Sequence, residues 1–405
     1  MARSLAEHLD PSKGPKRILA LDGGGTKGII EIAFLEKIEQ ILKQRSGDAA
    51  SFRLCDYFDL IGGTSTGAIV ATALALGMTV AEVRDLYFKM AKAVFRRPPF
   101  RIVGLGPRFY ARGLGRILSE VLADRTLDTP DLKTGLAIIA KRLDTGSPWV
   151  LTNNPRSMFW KHPEADPVTG KRLHIGNQGY KLRDVVRAST AAPYYFSPKK
   201  IRIVETEPEG LFIDGAVSPH NNPALQLFML AAIKGYNFNW AVDKDKLLLI
   251  SIGTGWFRPT LSVEQARRMP SALLAVHALQ GMSWDCQMQT LKLLQWISNK
   301  RRPWAINAEV GTLAGEILGN ESAAPRELLT FHRYDVKFDS AWIAERTNLN
   351  VSAADLIRLN DFVEPRIMEE LYTIASKVAA TEVQTDDFPA AFDLPAARDA
   401  HGMRQ

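Results

Sequence analysis

Between Phe58 and Thr72 the chain reads Phe-Asp-Leu-Ile-Gly-Gly-Thr-Ser-Thr-Gly-Ala-Ile-Val-Ala-Thr, an apolar strand pattern and an apolar helix pattern joined by Gly63-Thr64-Ser65-Thr66-Gly67. A serine at such a strand-to-helix turn takes a strained backbone conformation. Glycines are needed on both sides, where any Cβ would collide with the flanking elements. The helix that follows aims its unpaired N–H groups and dipole at the hydroxyl, which favours a developing alkoxide or oxyanion. Short G-x-S-x-G matches also arise by chance in turns. The strand and the helix around this one predict a nucleophile elbow, with Ser65 presented as the nucleophile.

A second strand, loop and helix unit precedes it. Lys16-Arg17-Ile18-Leu19-Ala20-Leu21 reads as a buried strand ending in Asp22-Gly23-Gly24-Gly25-Thr26-Lys27-Gly28, and Ile29 to Lys43 carries Ile30, Phe34, Ile38, Ile41 and Leu42 at helical spacing. Such a loop points several N–H groups into one concavity, which suits an oxyanion or a phosphate. The Gly23, Gly25, Gly28 spacing also fits a dinucleotide fingerprint, but the following strand ends in Ser65 with no acidic residue. Asp22-Gly-Gly-Gly-Thr resembles, too, the first phosphate loop of sugar-kinase and actin-like ATPases, with Ile252-Gly253-Thr254-Gly255 as a second. Those folds continue into a β-hairpin, whereas Ile29 to Lys43 is helical in period. A nucleotide-phosphate-binding ATPase or sugar-kinase-like protein using the Asp22 loop remains the alternative reading.

Further along, Leu211-Phe212-Ile213-Asp214-Gly215-Ala216 is an apolar strand that stops at Asp-Gly. A carboxylate at a strand end lies where ligands bind in an α/β sheet, although Asp-Gly is also a common turn. Strands are expected at Leu136 to Ile139, Trp149 to Thr152, Lys246 to Ile252 and near Arg333 to Phe338. Helices are expected at Leu182 to Ala192, Ala224 to Lys234, within Val263 to Asn299, and at Ala353 to Lys377. Asn153 to Gly179, rich in Asn, Pro and Gly, reads as a loop. From Arg84 to Arg116 nine basic residues face a single acid, Asp85, with aromatics interleaved. Arg96, Arg97 and Arg101 are the candidate contacts to an anionic membrane surface there; a solvated helix face is the plainer reading.

The expected organisation is a flexible leader at 1–15, an α/β catalytic domain at 16–260, a mainly helical extension at 261–380 and a disordered tail at 381–405. Two cysteines, Cys55 and Cys286, rule out a disulfide framework and fit a reducing, cytoplasmic setting. The first fifteen residues lack the apolar core of a signal peptide, and the longest apolar run, Ala68 to Val80, is too short to span a bilayer. A soluble or peripheral protein at the inner membrane surface is expected. The formal net charge of +7 favours anionic partners.

Taken in order, Asp22-Gly-Gly-Gly-x-Lys-Gly, Gly63-x-Ser65-x-Gly67 and Asp214-Gly215-Ala216 resemble the patatin-like phospholipases. Asp56 to Gly63, Ser189 to Pro198, Asn221-Asn222-Pro223 and Ser251 to Gly255 extend the similarity from about Arg17 to Thr254. The resemblance implies a three-layer α/β/α sandwich with a mainly parallel sheet and a phospholipase A-type acyl hydrolase. It implies a dyad of Ser65 as nucleophile and Asp214 as base, and an oxyanion hole from Gly23, Gly24, Gly25 and Thr66. Lys27 stands where most relatives carry Arg, keeping the charge but not the bidentate fork for an anion. Neither a cofactor nor a metal is expected, the partner is a phospholipid surface, and no DNA or RNA polymer is implied. Some bacterial members are antiphage effectors switched on by a cyclic oligonucleotide, which makes such a molecule a candidate activator. His220 and His174 are the histidines nearest Asp214 in sequence. A Ser-Asp-His triad would need one of them, though a histidine six residues after the acid belongs more naturally to the adjoining loop.

Overall fold

Every residue of Lys16–Leu21 is buried, and this segment is the central strand of a nine-stranded sheet. The computed structural model describes residues 3–47, 50–95, 107–109, 111–170, 174–205, 207–257, 261–299 and 326–394. The strands are β1 (Lys16–Leu21), β2 (Leu60–Thr64), β3 (Gly135–Arg142), β4 (Pro148–Thr152), β5 (Lys199–Ile201), β6 (Gly210–Asp214), β7 (Leu247–Ile252), β8 (Ser298–Asn299) and β9 (Leu329–Tyr334). Their order is β5-β6-β3-β2-β1-β7-β9-β8, with β4 paired to β3. Pairing is parallel from β3 through β2, β1 and β7 to β9 and β8, and antiparallel where β4, β5 and β6 join. The sheet is therefore mixed and mostly parallel, as expected.

The helices are α1 (Leu5–Leu9), α2 (Ile29–Ser46), α3 (Leu54–Tyr57), α4 (Thr66–Ala75), α5 (Val80–Val94), α6 (Ala111–Leu122) and α7 (Leu182–Ser189). They continue as α8 (Ala224–Ala232), α9 (Val263–Arg268), α10 (Ser271–Trp296), α11 (Ser340–Thr347), α12 (Ala353–Leu359) and α13 (Met368–Glu382). Side chains alternate across the strands, so Leu19, Leu21, Ile250 and Ile252 meet α2, α4, α5, α7 and α13 on one face. Ile18, Ala20, Leu247 and Leu249 meet α1, α8 and α10 on the other. Three layers result, each face of the sheet covered because a parallel sheet has apolar residues on both.

One junction sets the position of the functional residues. Residues 137–139 of β3 pair with β4 and with β2, while Ala140 pairs with β4 and with Asp214 of β6. Since β4 occupies one edge of β3 throughout, β2 and β6 must share the other edge. They run toward each other along it. Thr64 stands opposite Ile139 and Asp214 opposite Ala140, so the carboxyl ends of the two strands abut.

Several boundaries differ from expectation. Residues 5–9 form a capped helix instead of a flexible leader, with Leu9 buried and Arg3 and His8 bonded to Asp59 at 2.7 and 3.0 Å. The expected 261–380 extension does not stand apart from the catalytic body: β9 inserts beside β7 in the main sheet, and α13 packs along α2. The helix expected from Ala353 to Lys377 is two, since Pro365 opens a 3-10 turn at Pro365–Ile367 between α12 and α13. Within the expected tail, Phe388 and Phe392 are core residues. In the basic aromatic stretch, Tyr87, Val94 and Phe109 point inward to the core; Arg96, Arg97 and Arg101 lie outside the described residues.

Candidate active site

Ser65 occupies the turn between β2 and α4 with φ 55° and ψ −122°, a left-handed conformation that costs a non-glycine residue energy. A Cβ at Gly63 would stand 2.2 Å from the carbonyl group of Gly67, and one at Gly67 2.4 Å from the Leu21 carbonyl oxygen. The flanking glycines are thus imposed by close approach, which lets α4 rise directly off β2 and past the end of β1. Because β6 ends head to head with β2, the turn brings Ser65 Oγ to 2.6 Å from Asp214 Oδ2, to which it donates. The other carboxylate oxygen accepts the Ala216 N–H at 2.8 Å.

Asp214 is 2% exposed, and burial pushes its pKa up to about 7. The Ser65 hydroxyl, the Ala216 amide and the Arg187 guanidinium pull the other way without cancelling it. No histidine completes a triad among the described residues. The backbone carbonyl of His220 accepts from Thr64 Oγ1 at 2.6 Å, and its backbone N–H donates to Ser218 Oγ, which makes it a loop residue. His174 lines a cavity that neither Ser65 nor Asp214 reaches.

Ser189, given no role from sequence, is central to the arrangement. Its hydroxyl accepts the Ser65 N–H at 2.8 Å and donates to the Ile139 carbonyl at 2.6 Å, tying the elbow to β3. Two residues on, the Ala191 carbonyl accepts the Asp214 N–H at 3.1 Å. The end of α7 therefore holds both members of the pair. In sequence, Ser189 to Pro198 entered the family resemblance and the end of an expected helix, with nothing to single out the Ser189 hydroxyl.

Around the glycine loop the four expected oxyanion donors divide. The Gly23 amide is taken by the Asn221 carbonyl at 3.0 Å, and the Gly24 amide donates to Thr66 Oγ1 at 3.1 Å. Those of Gly25 and Thr66 make no hydrogen bond among the described residues. Gly23 lies against the nucleophile, since a Cβ there would be 3.1 Å from Ser65 Cβ. Lys27, expected to bind an anion, places its ammonium 2.8 Å from Asn360 Oδ1 and over the Phe338 ring. Burial lowers its pKa to about 8, so the site as built engages this amine instead of presenting it.

The loop is anchored from behind by Arg333 of β9, another residue to which the sequence assigned no role. Its guanidinium donates to Asp22 Oδ1 and Oδ2 at 3.0 and 2.6 Å, to Asp335 Oδ2 at 2.8 Å and to Ser251 Oγ at 2.8 Å. In front, the Phe362 carbonyl accepts the Thr26 N–H at 2.8 Å. Among the described residues no group of His, Cys, Asp and Glu has the makings of a metal site, and no helix is long and apolar enough to cross a membrane.

The sequence that builds this site is similar to that of known proteins. A family model described as patatin-like phospholipase matches residues 19–228, over half of the chain. The cGAMP-activated phospholipase of Vibrio cholerae is 32% identical over 258 residues, 61% of this chain and 66% of that protein. Patatin group J-1 of Solanum tuberosum is 28% identical over 270 residues, 62% of this chain and 64% of that one. The chain thus spans just under two thirds of the length of these curated relatives. Among solved structures, human GIVD cytosolic phospholipase A2 is similar at 11% identity and a TM-score of 0.46, covering 95% of this chain and 61% of that one.

Proposed function

Because the chain belongs to the patatin-like phospholipase family, we propose that it is a serine hydrolase that cleaves phospholipid acyl esters through Ser65 and Asp214. The observation that carries this is the 2.6 Å hydrogen bond from Ser65 Oγ to a buried Asp214 whose pKa burial pushes up to about 7. A carboxylate at its ordinary value is too weak a base for a hydroxyl; one near neutrality is matched to the task. Asp214 takes the hydroxyl proton as Ser65 Oγ attacks the ester carbonyl. The amides of Gly25 and Thr66 are the donors for the tetrahedral oxyanion, with Gly24 able to join by releasing Thr66 Oγ1. Collapse expels the lysolipid, whose alkoxide oxygen takes that proton back from Asp214, and leaves an acyl-serine beside a regenerated carboxylate. Water, deprotonated by the same carboxylate, then releases the fatty acid.

Serine-directed fluorophosphonate labelling tests the reading. Labelling of wild type but not of Ser65→Ala, with fatty acid released from phospholipid vesicles by wild type alone, is the expected result. Failure of Ser65 to label, with ATP turnover that survives Ser65→Ala, would favour the phosphate-loop alternative instead. That alternative is not favoured: the glycine loop runs through a 3-10 turn straight into α2, and its Gly23 amide is taken by the Asn221 carbonyl. The similarity to the cGAMP-activated phospholipase of Vibrio cholerae supports a further element of the proposal, control by a cyclic oligonucleotide. Stimulation of vesicle hydrolysis by cGAMP checks it.

A further inference from the structure

A cavity of about 480 Å³ lies along β4, the strand that covers the outer edge of β3, and α8, Ser157, Phe159 and residues 174–180 contribute its other walls. That volume falls in the range of small-molecule sites, roughly 300–1,000 Å³. Trp149, Tyr180 and Tyr236 contribute aromatic faces, and Gln226, His174 and Asn177 contribute polar groups. Gln226 is only 5% exposed, and its Nε2 has no hydrogen-bond partner among the described residues; neither has the buried Nε2 of His174. An acyl chain would leave both nitrogens unpaired, at about 1–3 kcal/mol for each buried group. A planar heterocycle with ring nitrogens and carbonyl oxygens would satisfy them while stacking on the aromatic rings.

The walls of the cavity lead to the elbow. Tyr180 stands two residues before α7, whose last residue, Ser189, holds the Ser65 amide. Val150 is the register partner of Ile139, whose carbonyl receives the Ser189 hydroxyl. Gln226 is in the first turn of α8, just after Asn221, which binds the Gly23 amide. We propose that this cavity is a regulatory site for a nucleobase-bearing ligand, and that its occupancy acts on Ser65 through α7, β3 and the Asn221 turn. This rests on the reading above that the enzyme is controlled by a cyclic oligonucleotide, and it gives that activator a place.

The test uses the full chain, cGAMP as probe, and oleate as the apolar competitor. Titration calorimetry on wild type should detect cGAMP binding that oleate does not displace. Gln226→Met should weaken it about tenfold or more, the equivalent of one buried hydrogen bond. Leu230→Trp, which fills the cavity, should abolish it, with the melting temperature of each ligand-free variant as the fold control. An azidopurine analogue of cGAMP, photolysed on wild type, should mark peptides within 148–180 or 226–238, so that the site is mapped even if a variant fails to fold. No binding by wild type would remove the activator reading, and this proposal with it. Binding with unchanged affinity in both variants, or labels elsewhere, would overturn the cavity alone and leave the activator. Displacement by oleate would make it an acyl-chain pocket and overturn the proposal.

Discussion

Ser65 is held at φ 55°, a conformation that costs a non-glycine residue energy and that presents its hydroxyl to Asp214. If the two act as one unit, Ser65→Ala, Asp214→Ala and the double variant should lose similar amounts of ester hydrolysis, because members of a catalytic unit are not additive. A double variant that shows the product of the single losses would argue for independent roles. His220→Ala should stay within about tenfold of wild type, under ~1.4 kcal/mol of barrier. The base must be ionised to accept a proton, so kcat/KM should fall as pH drops through about 7, the value to which burial pushes Asp214. Arg187 opposes that rise, and its buried Nη1 has no hydrogen-bond partner among the described residues. Arg187→Met should therefore move the pH profile to higher pH, where an uncharged role for the arginine would move only its height. Ser65 and Asp214 were legible from sequence because each sits at the end of an apolar strand pattern. Ser189, Arg187 and the pairing of Gly24 with Thr66 were not, since hydrogen bonds between segments far apart in sequence leave no local period.

At the scale of elements, the central strands and the helices that cover them followed from periodicity, whereas the short β5 and β8, the helix α11 and the partnership of strands did not. Arg333 to Phe338 reads as a strand, whereas β9 runs Leu329–Tyr334 and shares only its last two residues with that stretch; nothing local says that it lies beside β7 and sends an arginine under the glycine loop. Nor does the sequence say that α12 ends where Asn360 and Phe362 can close over that loop. Arg333 pairs with two carboxylates, Asp22 and Asp335, in a place where all three side chains are 1% exposed. Arg333→Met would strand those charges, at a cost of about 3–5 kcal/mol for breaking a buried pair. A drop of that size in chemical denaturation, with the fluorophosphonate rate of the remaining folded protein also reduced, is expected. Loss of stability with an unchanged labelling rate would mean that β9 supports the sheet without positioning the loop. At Gly25, φ 59° and a Phe362 carbonyl oxygen 2.1 Å from any added Cβ make alanine doubly unfavourable. Gly25→Ala should cost about 10²–10³ in kcat, the scale of one misplaced oxyanion donor. If turnover survived, Gly25 would not be such a donor.

Over the whole molecule, the chain's two described ends are fastened at the amino-terminal edge of the sheet, opposite the elbow. Asp59, just before β2, accepts from Arg3 and His8 near the start of the chain and from the backbone and guanidinium of Arg17 in β1. Arg17 Nε in turn donates to the Phe392 carbonyl at 2.8 Å, and Arg45 binds the Phe388 carbonyl and Asp393. Phe388 and Phe392, each 1% exposed, close the core beneath Tyr57 and α2. Polar, proline-containing composition made both ends read as loose, because it registers what a segment lacks and not the two aromatic anchors it carries. Burial raises the Asp59 pKa, but His8, Arg3 and Arg17 outweigh it and hold the carboxyl below its ordinary value. Its contribution is present above the ordinary carboxylate range and is lost as pH falls through the lowered value. Burial holds His8 below its ordinary pKa as well, so the unfolded chain takes up that proton first and stability begins to fall with pH near 6.5. Phe392→Ala should cost about 3–5 kcal/mol, as for a large aromatic removed from a core. Its acid unfolding midpoint should rise toward neutrality, because the lost packing leaves less stability for protonation to remove. The labelling rate of Ser65 in the folded fraction should stay at the wild-type value, since the elbow is at the opposite end of β2. A variant that melted like wild type would show that residues 384–394 merely lie on the surface of the catalytic body. One that stayed folded but labelled slowly would show that the anchor reaches the site along the strand.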